Sequence, residues 1–173
     1  MNGREPGARI VAVRTADDLA ATIRLFRDYA ASLEIDLAYQ DFEGEIAAMP
    51  GKYAPPRGEL LLARAADGAA VGCVGLRPIE PEGICEMKRL YVAPRGRGEG
   101  LGKKLVETLL AEAARIGYRE MWLDTLPSMT MAIALYRKLG FEPMPPYYDT
   151  PVAGTLFMRR VLAARSGEGK ARS

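Results

Sequence analysis

The sequence predicts a single α/β domain of the α+β type, a mixed and mostly antiparallel sheet flanked by helices. Three observations carry that expectation. Two alternating runs, Glu59–Ala65 and Ala70–Pro78, meet at Asp67–Gly68, a hairpin signal, and a third run opens at Cys85, so three consecutive strands should form an antiparallel meander. A strand–helix–strand unit then leads from Cys85 through Leu101–Ile116 to Arg119–Thr125, which sets its two strands parallel. The chain of 173 residues, 49% hydrophobic and 27% charged, fits one domain with a sizeable core.

In chain order, residues 1–8 read as a flexible N-terminus, 9–162 as the domain, and 163–173, with small and charged side chains, as a disordered tail. Arg9–Arg14 alternates as a first strand. Thr15 caps a helix, with Asp18 at the capping-box position, and Leu19, Ile23, Phe26 and Ala30 carry its apolar stripe to about Leu33. Asp41–Met49 reads as a short second helix closed by Pro50–Gly51, and the segment from Gly51 to Gly58 as a stiff loop. Gly117 takes the C′ position after Leu101–Ile116. Ser128 begins a helix that ends at Gly140, and Thr155–Leu162 is a final strand. The chain shows no repeat and no second domain.

Bulk properties exclude several function classes. A net charge of +2 is too small to argue for nucleic acid. No apolar run approaches membrane-spanning length, and Met1–Arg9 lacks the apolar core of a signal peptide. Two cysteines, Cys73 and Cys85, make no disulfide framework, so a reducing cytoplasm is the expected location. There is no histidine, which removes Ser-His-Asp and Cys-His hydrolases and His-containing metal sites; no metal is expected. A base working near neutral pH must then be a carboxylate, a water, or a shifted Lys, Tyr or Cys.

The informative stretch is Cys85–Gly102. It opens as a strand with Cys85, Met87, Arg89 and Tyr91 on one face and Glu86, Lys88, Leu90 and Val92 on the other. Pro94 stops the ladder. Arg95, Gly96, Arg97, Gly98, Glu99, Gly100 and Gly102 follow, and a helix begins at once. Alternate glycines bring backbone close to a ligand, and the helix start offers unpaired N–H groups and a positive dipole end. With two arginines, this suits a polyanion, above all a pyrophosphate. Two common phosphate loops fail here. A P-loop needs a glycine where Arg97 stands and a hydroxyl where Lys104 stands, and GxGxxG lacks its third glycine in every frame.

Arg97-x-x-Gly100-x-Gly102 after Val92–Ala93–Pro94 does fit a pattern, as does a second register, Arg95-x-x-Gly98-x-Gly100. Leu123–Asp124–Thr125 and the run Ala132–Phe141 (AIALYRKLGF) follow in order. Over roughly residues 84–142 the chain thus resembles the GNAT superfamily of acetyl-CoA-dependent N-acetyltransferases. The resemblance implies that Arg95, Arg97, Gly98, Glu99, Gly100, Leu101, Gly102 and Lys103 cradle the pyrophosphate of acetyl-CoA, the cosubstrate. It implies that main-chain groups of Leu90, Tyr91 and Val92 bond the pantetheine arm. Tyr136 matches the tyrosine that gives its proton to the CoA sulfur, and Glu86 an acid that acts as general base, often through water. Met129 stands where many relatives carry Asn, so no side-chain bond to the cofactor is implied there.

Each residue also has a plainer reading. Glu86 pairs with Lys88 or Arg77, and Tyr136 is a packing aromatic beside Ile133 and Leu139. For the acceptor, Tyr39, Asp41, Tyr53, Asp124, Tyr147 and Tyr148 are candidate walls, since aromatics with acids suit a small cationic amine; loop packing is the alternative. The expected activity is direct acetyl transfer to an amine, without an acyl-enzyme. The rival from another class is a non-catalytic acyl-CoA-binding sensor, which would tolerate loss of Glu86 and Tyr136. A small-molecule amine is the favoured acceptor over a protein lysine, and the oligomeric state, a homodimer included, is open.

Overall fold

A computed structural model describes residues 7–162, so the expectations for 1–6 and 163–173 lie outside the described residues. Seven strands form one sheet: β1 (Arg9–Ala12), β2 (Glu59–Arg64), β3 (Ala70–Ile79), β4 (Ile84–Val92), β5 (Glu120–Thr125), β6 (Glu142–Met144) and β7 (Leu156–Val161), in the order β1-β2-β3-β4-β5-β7-β6. Neighbours are antiparallel except β4 and β5, which run parallel around the crossover helix. The meander and the parallel pair are as the sequence pattern requires.

Helices α1 (Ala16–Ser32) and α2 (Phe42–Ala48) pack on one face of the sheet, α3 (Leu101–Ile116) and α4 (Thr130–Lys138) on the other. Thr15 accepts a bond from the Asp18 N–H at 3.1 Å and starts α1, whose Ala21, Leu25 and Phe26 are buried against Leu60, Leu62 and Cys73. Leu101, Leu105, Leu109 and Ala113 recur every fourth residue along α3, and all four are buried over Leu61, Val74, Leu76 and Met87.

Three features were not in the sequence pattern. Leu37–Gln40 forms a 3₁₀ turn ahead of α2. β6 is a strand despite Pro143, which a sheet edge tolerates because the missing N–H has no neighbour to serve. α4 starts at Thr130, with Met129 as its cap residue, two residues later than Ser128.

The fourth departure shapes the site. The expected alternation along β4 breaks: Lys88 pairs with Gly75 and Tyr91 with Cys73, three steps against two. The extra residue is absorbed at Arg89, which takes a left-handed φ of 60°. Beyond this bulge the faces exchange. Leu90 and Val92 join Cys85 and Met87 in the α3 core, so Glu86 does not share their face, and Tyr91 turns toward α1 instead. Lys88 and Arg89, consecutive in sequence, both project to the α1–α2 side, where they meet Gln40.

Candidate active site

The loop after β4 prepares an anion site at the start of α3. Pro94–Gly96 makes a single 3₁₀ turn, after which Gly98 and Gly100 adopt φ of 94° and 71°. L-residues pay about 1 kcal/mol or more there, which glycine avoids. Gly100 caps α3 without a side-chain bond, and the first turn holds no acid. Its leading N–H groups therefore have no carboxylate to satisfy them. A Cβ added at Gly98 or Gly100 would meet nothing within 4 Å, so the space before this turn is open. Gly102 lies deeper, where a Cβ would sit 3.7 Å from Leu135.

Arg97 and Lys103 line the groove in front of the turn, and its apolar side is made by Leu90, Val92, Ala132 and Leu135. Arg97 donates from Nε to the Val92 carbonyl at 3.1 Å, which holds the side chain along the groove. Arg95 points elsewhere. It pairs with Asp67 and, with Glu99, lines a separate recess beside Val71. Of the two sequence registers, the Arg97 one places its arginine in the groove.

The groove runs to the point where β4 and β5 separate. Their pairing ends at Glu86 and Trp122, and from there Met87–Leu90 and Leu123–Leu126 line the two sides of a cavity. Leu90 and Met129 border both spaces. Tyr136 reaches this cavity from α4. Its ring stands edge-on to Phe141 at 5.7 Å and is buried, while its hydroxyl has no hydrogen-bond partner among the described residues. Burial pushes the phenol well above its ordinary value, so it stays protonated. Thr125 Oγ1, on the same cavity, is buried and without a partner among the described residues. Buried polar atoms are rarely left so unless a ligand or water completes them.

A charged network lies behind the cavity. Glu86 is 2% exposed; its Oε1 accepts from Arg77 Nε at 2.8 Å and its Oε2 from the Tyr147 hydroxyl at 2.5 Å. Asp124 accepts at Oδ2 from Tyr148 at 2.6 Å and from Gln40 at 3.4 Å, leaving Oδ1 without a hydrogen bond. Arg89 is held by Glu45 at 3.0 Å, by Gln40 Oε1 at 2.9 Å, and over the Phe42 ring at 5.2 Å, which fixes the bulge. Burial and the adjacent carboxylates push the Tyr147 and Tyr148 phenols up.

A model of the acetyltransferase (GNAT) family matches residues 24–141, more than half of the chain. The chain belongs to the GNAT acetyltransferase family. An N-acetyltransferase of Schizosaccharomyces pombe is 40% identical over 150 residues, spanning 87% of this chain and 92% of its own. Among solved structures, a GNAT acetyltransferase of Staphylococcus aureus superposes with a TM-score of 0.75 at 19% identity, over 90% of this chain and 99% of its own. A GNAT phosphinothricin acetyltransferase of Sinorhizobium meliloti, in complex with acetyl-CoA, does so at 0.66 and 22% identity, over 97% and 93%. These two structures establish the shared fold.

Within this GNAT N-acetyltransferase, the fold brings Glu86, Asp124, Tyr39, Tyr147 and Tyr148 together around two adjoining cavities, with Tyr136 on the groove side. It does not bring Asp41 there: that residue starts α2 at a φ of 53°, with its carboxylate against Gly44. Tyr53 is in the α1-side core, edge-on to Phe26 at 5.8 Å. Tyr91 likewise packs its ring against Tyr29, so only its main chain is available to the groove. The sequence reading missed Gln40, Glu45 and Arg89, and considered Lys88 and Arg77 merely as partners for Glu86. Two adjacent cations inside an apolar strand were the available signal, since such charges are costly without partners. Gln40 gave none. Among the described residues no helix is long and apolar enough to cross a membrane, and no three Cys, Asp or Glu side chains are grouped to hold a metal.

Proposed function

We propose that the protein transfers an acetyl group from acetyl-CoA directly to the amine of a small molecule. One observation carries this reading: the Arg97- and Lys103-flanked groove at the start of α3 adjoins, across Leu90 and Met129, the strand-gap cavity that Tyr136 lines. The N–H groups of the α3 start, with Arg97 and Lys103, suit the diphosphate. Main-chain groups of Leu90–Val92 that β5 does not pair, the Val92 carbonyl taken by Arg97 apart, suit the pantetheine arm, and the lone Thr125 Oγ1 fits a polar group entering the cavity. Acetyl-CoA supplies the thioester carbon that the amine attacks, giving an acetamide and free CoA.

The chain's own residues would then manage the protons. Tyr136, protonated and unpartnered, donates a hydrogen bond to the departing sulfur. Its raised pKa makes complete proton transfer to a thiolate less favourable than the reference values alone suggest, so hydrogen bonding is its main contribution. Two carboxylates compete for the role of base. Both Glu86 oxygens already accept bonds and Glu86 does not border the strand-gap cavity, so its route to the amine runs by way of Tyr147 or a water. Asp124 Oδ1 accepts no hydrogen bond, Lys88 Nζ standing 3.8 Å away, and it borders the cavity, so we favour Asp124 as the acceptor of the ammonium proton and Glu86 as the anchor of Arg77 and Tyr147.

The test is thiol release from acetyl-CoA across small amines, polyamines, amino acids and peptides, with the acetylated product identified by mass spectrometry. Release with at least one small-molecule amine supports the reading. Tight acetyl-CoA binding with no release above background for any amine would favour the sensor instead.

A further inference from the structure

The charged network behind the strand gap does not close on itself. Arg89 is matched by Glu45, and Arg77 by Glu86. Lys88 and Asp124 remain, and they are only loosely paired, at 3.8 Å with no hydrogen bond between them. The Lys88 side chain is 5% exposed. Among the described residues its sole hydrogen bond is to Gln40 Oε1 at 3.1 Å, an oxygen that Arg89 also occupies at 2.9 Å. A buried ammonium with three protons thus shares one acceptor, although buried charges ordinarily persist only when fully paired.

The position of Lys88 says what completes it. With Tyr39 and Gln40, Lys88 borders both the strand-gap cavity and the adjoining pocket walled by Tyr147 and Tyr148. Arg77 lines that second pocket too, while both oxygens of its Glu86 are taken and Glu80 stands exposed at the rim. A molecule entering there meets a cation with spare donors, and past it, on the strand-gap side and 3.8 Å from the Lys88 ammonium, Asp124 Oδ1, which accepts no hydrogen bond. Burial lowers the Lys88 pKa, with Arg89 and Arg77 adding to the shift and Glu86 and Asp124 opposing it, so a further anion at the ammonium would stabilise its charge.

We infer that the acceptor carries a carboxylate close to its amine, as an amino acid does: the carboxylate binds Lys88, and the amine lies toward Asp124. This rests on the acetyl-transfer reading and narrows it from amines in general to amino-carboxylates. Lys88 is here a specificity-determining residue. It differs from a residue that stabilises the reaction's oxyanion, because its effect should depend on the acceptor and not on the acyl group.

Trp122, the single tryptophan of the chain, lies 5.1 Å ring-to-ring from Tyr147 and reports on this pocket independently of turnover. The experiment compares L-phenylalanine with phenethylamine and L-leucine with isopentylamine, extended to the other amino acids, by Trp122 fluorescence titration in the presence of CoA and by thiol release from acetyl-CoA. Wild type should bind and acetylate the better amino acids at least about tenfold more effectively than their decarboxylated partners, the size of one charge-assisted bond. Lys88→Met should erase that preference by raising KM for the amino acid while leaving the amine nearly unchanged; Lys88→Arg should retain part of it. Equal or better use of the amines by wild type overturns the inference even if both variants misfold. So does a Lys88→Met loss in kcat that is the same for both acceptor types. Carboxylate-dependent fluorescence binding without any thiol release would instead overturn the transferase reading and leave the carboxylate site standing.

Discussion

Replacing Tyr136 by phenylalanine separates packing from chemistry more cleanly than any other change in this site. The ring is buried edge-on to Phe141, and phenylalanine keeps that contact. The hydroxyl has no hydrogen bond to lose among the described residues. It is not among the buried atoms left unsatisfied, so its removal should be neutral to within about 0.5 kcal/mol. For a chain of this length that is a shift in Tm of no more than roughly 2 °C. Turnover should move the other way. Loss of the donor at the sulfur should lower kcat about 10²-fold, the lower end for acid–base assistance, because the raised phenol acts mainly as a hydrogen-bond donor. Steady-state thiol release gives kcat, calorimetry gives the acetyl-CoA Kd, which should stay within about twofold, and differential scanning fluorimetry gives Tm. Undiminished kcat with a good acceptor would show that the thiolate leaves unaided. A fall in Tm of several degrees would show that the hydroxyl is structural.

The remaining substitutions test other parts of the account. Arg97→Ala should weaken acetyl-CoA binding about tenfold, whereas Arg95→Ala, whose side chain pairs with Asp67 outside the groove, should leave calorimetric affinity nearly unchanged; the reverse order would restore the other loop register. Asp124→Asn should depress the neutral-pH rate about 10²-fold and recover toward pH 9, where free amine is plentiful, while Glu86→Gln should mainly lower Tm; the opposite pattern in the pH–rate curves would make Glu86 the base. Lys88 is a lysine whose folded pKa is lowered, so wild-type stability should rise with pH from that lowered value up to the ordinary value near about 10.4. Urea unfolding of Lys88→Met should lack this rise, the variant's advantage being largest at neutral pH and shrinking toward pH 10, and a pH-independent difference would contradict it.

What was legible in the sequence was what local pattern controls. The fourfold spacing of Leu101, Leu105, Leu109 and Ala113 gave α3 its bounds, and Asp67–Gly68 marked the hairpin, because each signal is contained within a few residues. The β4 bulge was not visible: Arg89 is no glycine, and its left-handed φ is enforced by Glu45, Gln40 and Phe42 from a distant segment. That one residue exchanged the faces of Leu90 and Val92 and moved Lys88 and Arg89 to one side. Tyr39 and Tyr148 were recognisable as aromatics near acids, yet Gln40, which links both to Asp124, sits in a 3₁₀ turn that no periodicity announces. In sequence the Arg97 register of the loop fitted best and the Arg95 register also matched; the partnership of Arg95 with Asp67 separates them further.

The central claim is that the start of α3 binds the diphosphate of acetyl-CoA through main-chain N–H groups that Gly100 leaves accessible. The direct measurement is a calorimetric titration of acetyl-CoA into wild type and Gly100→Val, with circular dichroism confirming that the variant is folded. At a φ of 71° a β-branched residue must displace the turn, and its side chain enters the open space before the N–H groups. Wild type should bind one acetyl-CoA per chain, and a folded Gly100→Val should bind at least about a hundredfold more weakly. Equal affinity in the two proteins would contradict the account.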